Sequence, residues 1–241
     1  MKVLAIETAT SVCGAAIVGD GKVLANRSLN IPHCHSEKIM TLIDEILHEA
    51  GLTLRDIDGI AVSAGPGSFT GLRVGVSTAK GLAFASGHPV SAVSTLEALA
   101  HNFAPHIELG EHDCCMPLIA ARRGEVYAAA YTVRGDRLTC TMSPRVIGIE
   151  TLPGVLNDYG TVFVGGDAAE SIHASYPADP RMPLWARIVL VPEAVRLCDA
   201  GSVGLLGELQ LIQGRLADAS SLEPVYLQET FRVPDSQTLA S

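Results

Sequence analysis

The sequence predicts an α/β protein built from two tandem βββαβαβα units. Three observations point there. Each half opens on three strand-like runs joined by tight turns, each continues with alternating helical and apolar strand segments, and the same order occurs twice. At 241 residues, with 48% hydrophobic side chains, the chain has apolar material for two proper cores.

In the first half, Lys2–Glu7, Val12–Val18 and Lys22–Leu29 read as strands, with Gly19-Asp20-Gly21 as the turn between the last two. Helix Ser36–Ala50 follows, with Ser36 in the N-cap place and Glu37 in the first turn. Strand Gly59–Ala64 runs into a glycine loop, Gly65-Pro66-Gly67-Ser68, and then helix Thr70–Ser86. Strand Pro89–Val93 and helix Ser94–Phe103 end the unit at Pro105. In the second half the strands are Met116–Ala121, Glu125–Val133 and Asp136–Thr141, turning at Arg134-Gly135-Asp136. A short helix near Glu150–Asn157, strand Thr161–Val164, a helix near Ala168–Ala174 opened by Gly165-Gly166-Asp167, and strand Ile188–Val191 follow. A long helix is expected from about Pro192 to Gln213. The charged linker His106–Asp113 marks the boundary. Residues 1–105 are thus expected to form the first lobe and 106–231 the second, whose long helix can pack back on the first; 232–241 is expected to be a flexible tail. This order resembles that of the actin-like ATPases and sugar kinases (the ribonuclease H-like fold), whose nucleotide sits between the lobes.

Composition narrows the function classes. The net charge is −9, with 7 basic and 9 acidic side chains in residues 1–105 against 10 and 17 in the rest. An acidic chain with 5% aromatics lacks the electrostatic footprint of an autonomous nucleic-acid binder, so a link to RNA is expected through a partner. Six cysteines without a C-x-x-C pair read as reduced thiols, and a cytoplasmic location follows. Met1 to Ala16 is not read as a signal peptide, because Glu7 interrupts the apolar run. No segment reaches the roughly 20 apolar residues of a membrane span.

The helix Thr70–Ser86 is the most informative element. Apart from Arg73 and Lys80 it is apolar or small, leaving an uncharged arc of roughly 220° that a single sheet cannot cover. Gly71, Gly75, Thr78, Leu82 and Ala85 share one flank, where another backbone can approach closely. The glycines can equally serve to seat the helix on its own sheet. Helix Ser36–Ala50 adds a broad apolar face in which Met40 extends the arc beside Leu47. A partner surface is therefore expected over Ile39, Met40, Ile43 and Leu47, and over Gly71, Leu72, Gly75, Val76, Thr78, Ala79 and Leu82.

Candidate chemistry is sparse. The glycine loop and helix start offer an anion or nucleotide site at Gly65, Gly67 and Ser68 with Arg73 one turn on, joined by Thr8 and Thr10 of the first hairpin and by Gly165 and Gly166. The loop fits neither G-x-x-x-x-G-K-[ST] nor G-x-G-x-x-G, and hairpin Thr and Ser often just satisfy turn backbone. His33 and His35 alternate in an extended stretch, but no further ligands stand at metal-binding spacing, so no metal site is expected. No Ser–His–acid arrangement is assignable for nucleophilic catalysis.

Ser63-Ala64-Gly65-Pro66-Gly67-Ser68-Phe69-Thr70-Gly71-Leu72-Arg73 closely resembles the signature of the TsaB (YeaZ) family. Ile6-Glu7-Thr8-Ala9-Thr10, His35-Ser36-Glu37, Arg122-Arg123-Gly124-Glu125-Val126-Tyr127, Gly165-Gly166-Asp167 and Pro224-Val225-Tyr226-Leu227 match further family motifs in order. The resemblance implies the two-lobed actin-like fold and a non-catalytic scaffold or activator. Such a subunit pairs with a TsaD-type catalytic subunit through first-lobe helices, here Ser36–Ala50 and Thr70–Ser86. That partner modifies the tRNA adenosine next to the anticodon with a threonylcarbamoyl group. Without it, the resemblance implies a homodimer; a TsaE-type ATPase completes the assembly. No cofactor is then expected for this chain alone, ATP and metal lying on partner subunits, with tRNA met only through the complex and no membrane contact. Three departures stand out. The transferase's H-x-x-x-H is absent, Ala120 stands where the family often has Asp, and Gln228 where it often has Arg. The competing class is an ATP-dependent phosphotransferase or a glycoprotease-like enzyme of the actin-like superfamily.

Overall fold

The computed structural model describes residues 1–31, 34–134, 137–175 and 187–227. Its first half contains β1 (Lys2–Glu7), β2 (Val12–Gly19), β3 (Lys22–Asn30), α1 (His35–Glu49), β4 (Gly59–Gly65), α2 (Phe69–Ser86), β5 (Val90–Ser94) and α3 (Thr95–Phe103). The second half contains β6 (Cys114–Ala120), β7 (Glu125–Arg134), β8 (Arg137–Gly148), α4 (Leu152–Leu156), β9 (Thr161–Gly165), α5 (Ala169–Ser175), β10 (Arg187–Leu190) and α6 (Ala200–Ile212). Two five-stranded sheets result, ordered β3-β2-β1-β4-β5 and β8-β7-β6-β9-β10. In each, an antiparallel meander is extended by two parallel strands, so the duplication extends to topology.

Both faces of the first sheet are covered at its centre, where β1, β2 and β4 read as near-continuous apolar runs, while the edge strand β3 is largely exposed. Leu4 and Ile6 of β1 pack under α1 and α2 with Ile39, Ile43 and Val76, while Val3 and Ala5 face Val203 and Leu206 of α6. The helix that follows the second lobe thus builds the first lobe's other face. Glu208 of α6, itself buried, accepts hydrogen bonds from the backbone N–H groups of Asp20 (2.8 Å) and Gly21 (2.9 Å), fastening the β2–β3 turn.

Four boundaries differ from expectation. The long helix starts at Ala200, with Asp199 as N-cap accepting from Ser202 N at 3.0 Å; only a 3-10 turn, Glu193–Val195, stands nearer Pro192. The segment between is held by other bonds, with Gly166 N donating to Arg196 O at 2.6 Å. β8 continues to Gly148 through Pro144, because β7 pairs with it as far as Glu125–Gly148. The helix near Glu150–Asn157 is a 3-10 turn followed by the short α4. Finally, α1 begins at His35 with Cys34 as N-cap, so Ser36 does not cap it. The β7–β8 turn residues Gly135 and Asp136 and the tail 232–241 lie outside the described residues.

Among the described residues no helix is long and apolar enough to cross a membrane. The six cysteines are free thiols.

Candidate functional site

A cleft of about 420 Å³ opens between the lobes. Its first-lobe wall comes from the β1–β2 turn (Thr10, Ser11), the start of α1 (His35, Ser36) and the start of α2 (Ser68, Thr70). The second-lobe wall is Ile119, Ala120 and Ala121 at the end of β6, together with Asp167.

The hairpin turn that enters this cleft is self-contained. Glu7 is fully enclosed, its Oε1 accepting from Ala9 N at 2.6 Å. Burial pushes its carboxyl up to about 7, opposed by the Ala9 and Ser63 hydrogen bonds. Thr10 Oγ1 accepts from Val12 N at 3.3 Å, so the turn uses its side chains on its own backbone. His35 places Nε2 at 2.9 Å from the Thr10 carbonyl and 3.3 Å from that of Val12. Both partners are acceptors, so Nε2 carries the hydrogen and the imidazole pins the turn to α1. His33 lies outside the described residues. Among the described residues no group of three or more His, Cys, Asp or Glu is placed to hold a metal ion.

At the glycine loop, where an anion site is expected, two backbone donors have partners within the chain. Ser68 N donates to Ala9 O at 2.6 Å, and Gly71 N to Ser68 Oγ at 3.3 Å, so these donors are already used inside the fold. The Thr8 hydroxyl is buried and donates to Gly71 O at 2.9 Å. Gly65 and Gly67 are backed by Val225 O and Ala9 O, while Gly165 and Gly166 face the Phe103 ring and Leu118 O. These glycines answer packing. Arg73 is not part of the cleft lining; its guanidinium lies 3.9 Å from the centroid of the Phe69 ring and its Nε donates to the Tyr226 hydroxyl at 3.3 Å. Of the expected set, only Thr10 and Ser68 line the cleft. His35, Ser36, Thr70 and Asp167 also line it; each sits in a motif matched above, but nothing local marks it as facing a cavity. Asp167 Oδ1 accepts from Ala120 N at 2.8 Å, and loss of solvent in the cleft raises its carboxyl above the usual range. The lining holds hydroxyls, the His35 imidazole and one carboxylate, that of Asp167.

The expected partner surface divides in two. Ile39, Ile43, Leu72, Val76 and Ala79 are buried in the chain's own core and are not surface. Gly71 and Gly75 are buried too, because a Cβ at either would strike Thr8; the close approach they permit is to the chain's own hairpin. Met40 is exposed, while Leu47, Thr78 and Leu82 are half-buried on the outer faces of α1 and α2. On α2, Gly81 and Ala85 are exposed too, and Phe84, 94% exposed, stands on another side of the helix near Gly87, His88 and Ala219.

A family model described as TsaD, tRNA N6-adenosine threonylcarbamoyltransferase, matches residues 22–179. The tRNA threonylcarbamoyladenosine biosynthesis protein TsaB of Escherichia coli K12 is 30% identical over 239 residues, 95% of either chain. The chain belongs to the TsaB family. A solved TsaB-family structure, YeaZ from Pseudomonas aeruginosa, superposes with a TM-score of 0.73 at 27% identity, covering 94% of this chain and 99% of that one. The ROK hexokinase from Thermus thermophilus, at TM-score 0.51 and 13% identity over 88% of this chain and 100% of its own, shares the actin-like fold alone. The architecture is therefore actin-like, and the TsaB family is named for biosynthesis of tRNA threonylcarbamoyladenosine.

Proposed function

We propose that this chain is a non-catalytic subunit of the tRNA threonylcarbamoyladenosine machinery, which scaffolds a TsaD-type transferase through the outer faces of α1 and α2. The observation that carries the reading is the uncovered apolar surface on two adjacent helices. Met40 of α1 is exposed, Leu47 and Leu82 are half-buried, and exposed Gly81 and Ala85 lie on the Leu82 side of α2. Large exposed apolar side chains next to small ones suit a packed helix–helix contact, in which a second helix buries what this fold leaves open. The non-catalytic part is supported by the hairpin, where Glu7 and His35 are both engaged in holding their own backbone. In the absence of the transferase, the same faces suit a second copy of this chain.

Co-expression with the transferase, followed by mass measurement of the purified assembly, tests this. A one-to-one complex is expected with the wild type. Met40→Glu and Ala85→Glu, both at exposed positions, are expected to abolish it while leaving the melting transition in place. Assembly and tRNA modification that survive both substitutions would overturn the reading.

A further inference from the structure

The mouth of the interlobe cleft carries an arrangement that neither the cleft nor the helix faces explain. On the first-lobe lip, Phe69 and Tyr226 form an exposed aromatic pair, 55% and 43% accessible, with ring centroids 5.2 Å apart. Arg73 lies on the Phe69 ring and bonds to the Tyr226 hydroxyl. On the second-lobe lip, the β6–β7 turn presents Arg122 and Arg123, both exposed, directly after the cleft-lining Ala120 and Ala121. The next charged residue, Glu125, is half-buried.

The chain segment 225–227 ties the two lips together. Val225 N donates to Ala64 O at 2.7 Å at the end of β4, and Leu227, like Ala121, packs against the cluster that joins Phe103 of α3 to Tyr127 of β7. Tyr226, bonded to Arg73, thus lies in the segment that runs from the end of β4 to the cluster that includes Ala121. In a protein of net charge −9, Arg73 lies on the exposed ring pair, and Arg122 and Arg123 stand exposed in the turn that follows the other wall of the cleft. Exposed aromatic faces are sequence-tolerant platforms for unpaired bases, and arginines neutralise phosphates. An acidic protein partner would answer the arginines but leave the exposed ring pair unexplained.

The geometry points to a direct RNA contact here: Arg122 and Arg123 hold phosphodiester oxygens while Phe69 and Tyr226, with Arg73, stack an unpaired base. The inference rests on the proposed role in the tRNA-modifying assembly, and adds that this subunit itself touches the RNA. The acidic remainder of the surface would repel RNA elsewhere and so orient it toward this patch.

The test uses the purified complex of the full-length chain with the transferase and a fluorescein-labelled unmodified tRNA, titrated over a range of salt. Arg122→Ala/Arg123→Ala is expected to weaken binding roughly tenfold and to flatten the log–log salt slope by about two, while Arg122→Lys/Arg123→Lys keeps the slope. Phe69→Ala is expected to weaken binding of an unpaired loop oligonucleotide but not of a fully paired duplex. Co-purification with the transferase and the melting temperature are followed for every variant. Unchanged affinity and slope in assembled variants, or loss of assembly with tRNA binding retained, would overturn the contact. A wild-type complex that fails to form counts against the scaffold reading instead. In that event, photo-crosslinking of the same tRNA to the isolated full chain decides the patch: crosslinks at Phe69 or Tyr226 support it, and their absence overturns it.

Discussion

The Thr8 hydroxyl donates to the carbonyl oxygen of Gly71 at 2.9 Å, joining the first hairpin to the first turn of α2 where neither residue meets solvent. One turn on, Gly75 lies against the same threonine, with no room for a methyl group. Gly81, three residues beyond Thr78 on the open side, has nothing within 4 Å of where its Cβ would be.

These two glycines should respond oppositely to the same change. Gly75→Ala is expected to destabilise by about 2 kcal/mol or more, since a rigid neighbour must move. Gly81→Ala is expected to stabilise by about 0.5–1 kcal/mol through helix propensity and a less flexible unfolded chain. Urea unfolding of both variants checks the pair; a stabilised Gly75→Ala would contradict the packing described.

Glu7 gives the protein a pH signature. Its carboxyl, near 4.5 when unfolded, titrates at about 7 in the fold, so the folded state holds the proton more tightly. Stability contributed at this site therefore falls as pH rises from about 4.5 to about 7 and is level above that, by at most about 3 kcal/mol. Glu7→Gln, which keeps an acceptor for Ala9 N, should remove this slope and be the more stable protein at pH 8. Melting temperatures of both proteins between pH 5 and 8 test it, and parallel curves would refute the assignment.

Glu208 holds two backbone N–H groups of the β2–β3 turn from across the sheet. Glu208→Ala leaves those donors short of a partner and is expected to cost about 2 kcal/mol, whereas Glu208→Gln should cost less. Denaturant midpoints give the comparison, with hydrogen exchange at Asp20 and Gly21 as the local readout.

A chain ending at residue 198 would retain every strand of both sheets yet lose α6. Val3, Ala5, Ala16, Ala61 and Val93 would then face water on one side of the first sheet. Such a truncation is expected to aggregate or remain unfolded in circular dichroism. A cooperative melt would show that the first lobe does not depend on this helix.

Local pattern in the sequence determined most of the elements and their order. Alternation and apolar runs place β1 to β5, glycine and serine punctuate α2, and repetition of the order reveals the duplication, because each signal sits within a few residues of what it specifies. The motif Ser63 to Arg73 likewise marks the family. Tertiary structure decided what these segments touch. Whether Gly71 and Gly75 admit a partner or the chain's own Thr8, whether Arg73 faces a phosphate or Phe69, and which sheet α6 covers all depend on residues far away in the chain. Periodicity reports that a face is apolar, but the identity of its cover is set by the path of the backbone, and Gly204 and Gly207 close against Val18 and Ala61 only once that path brings them together.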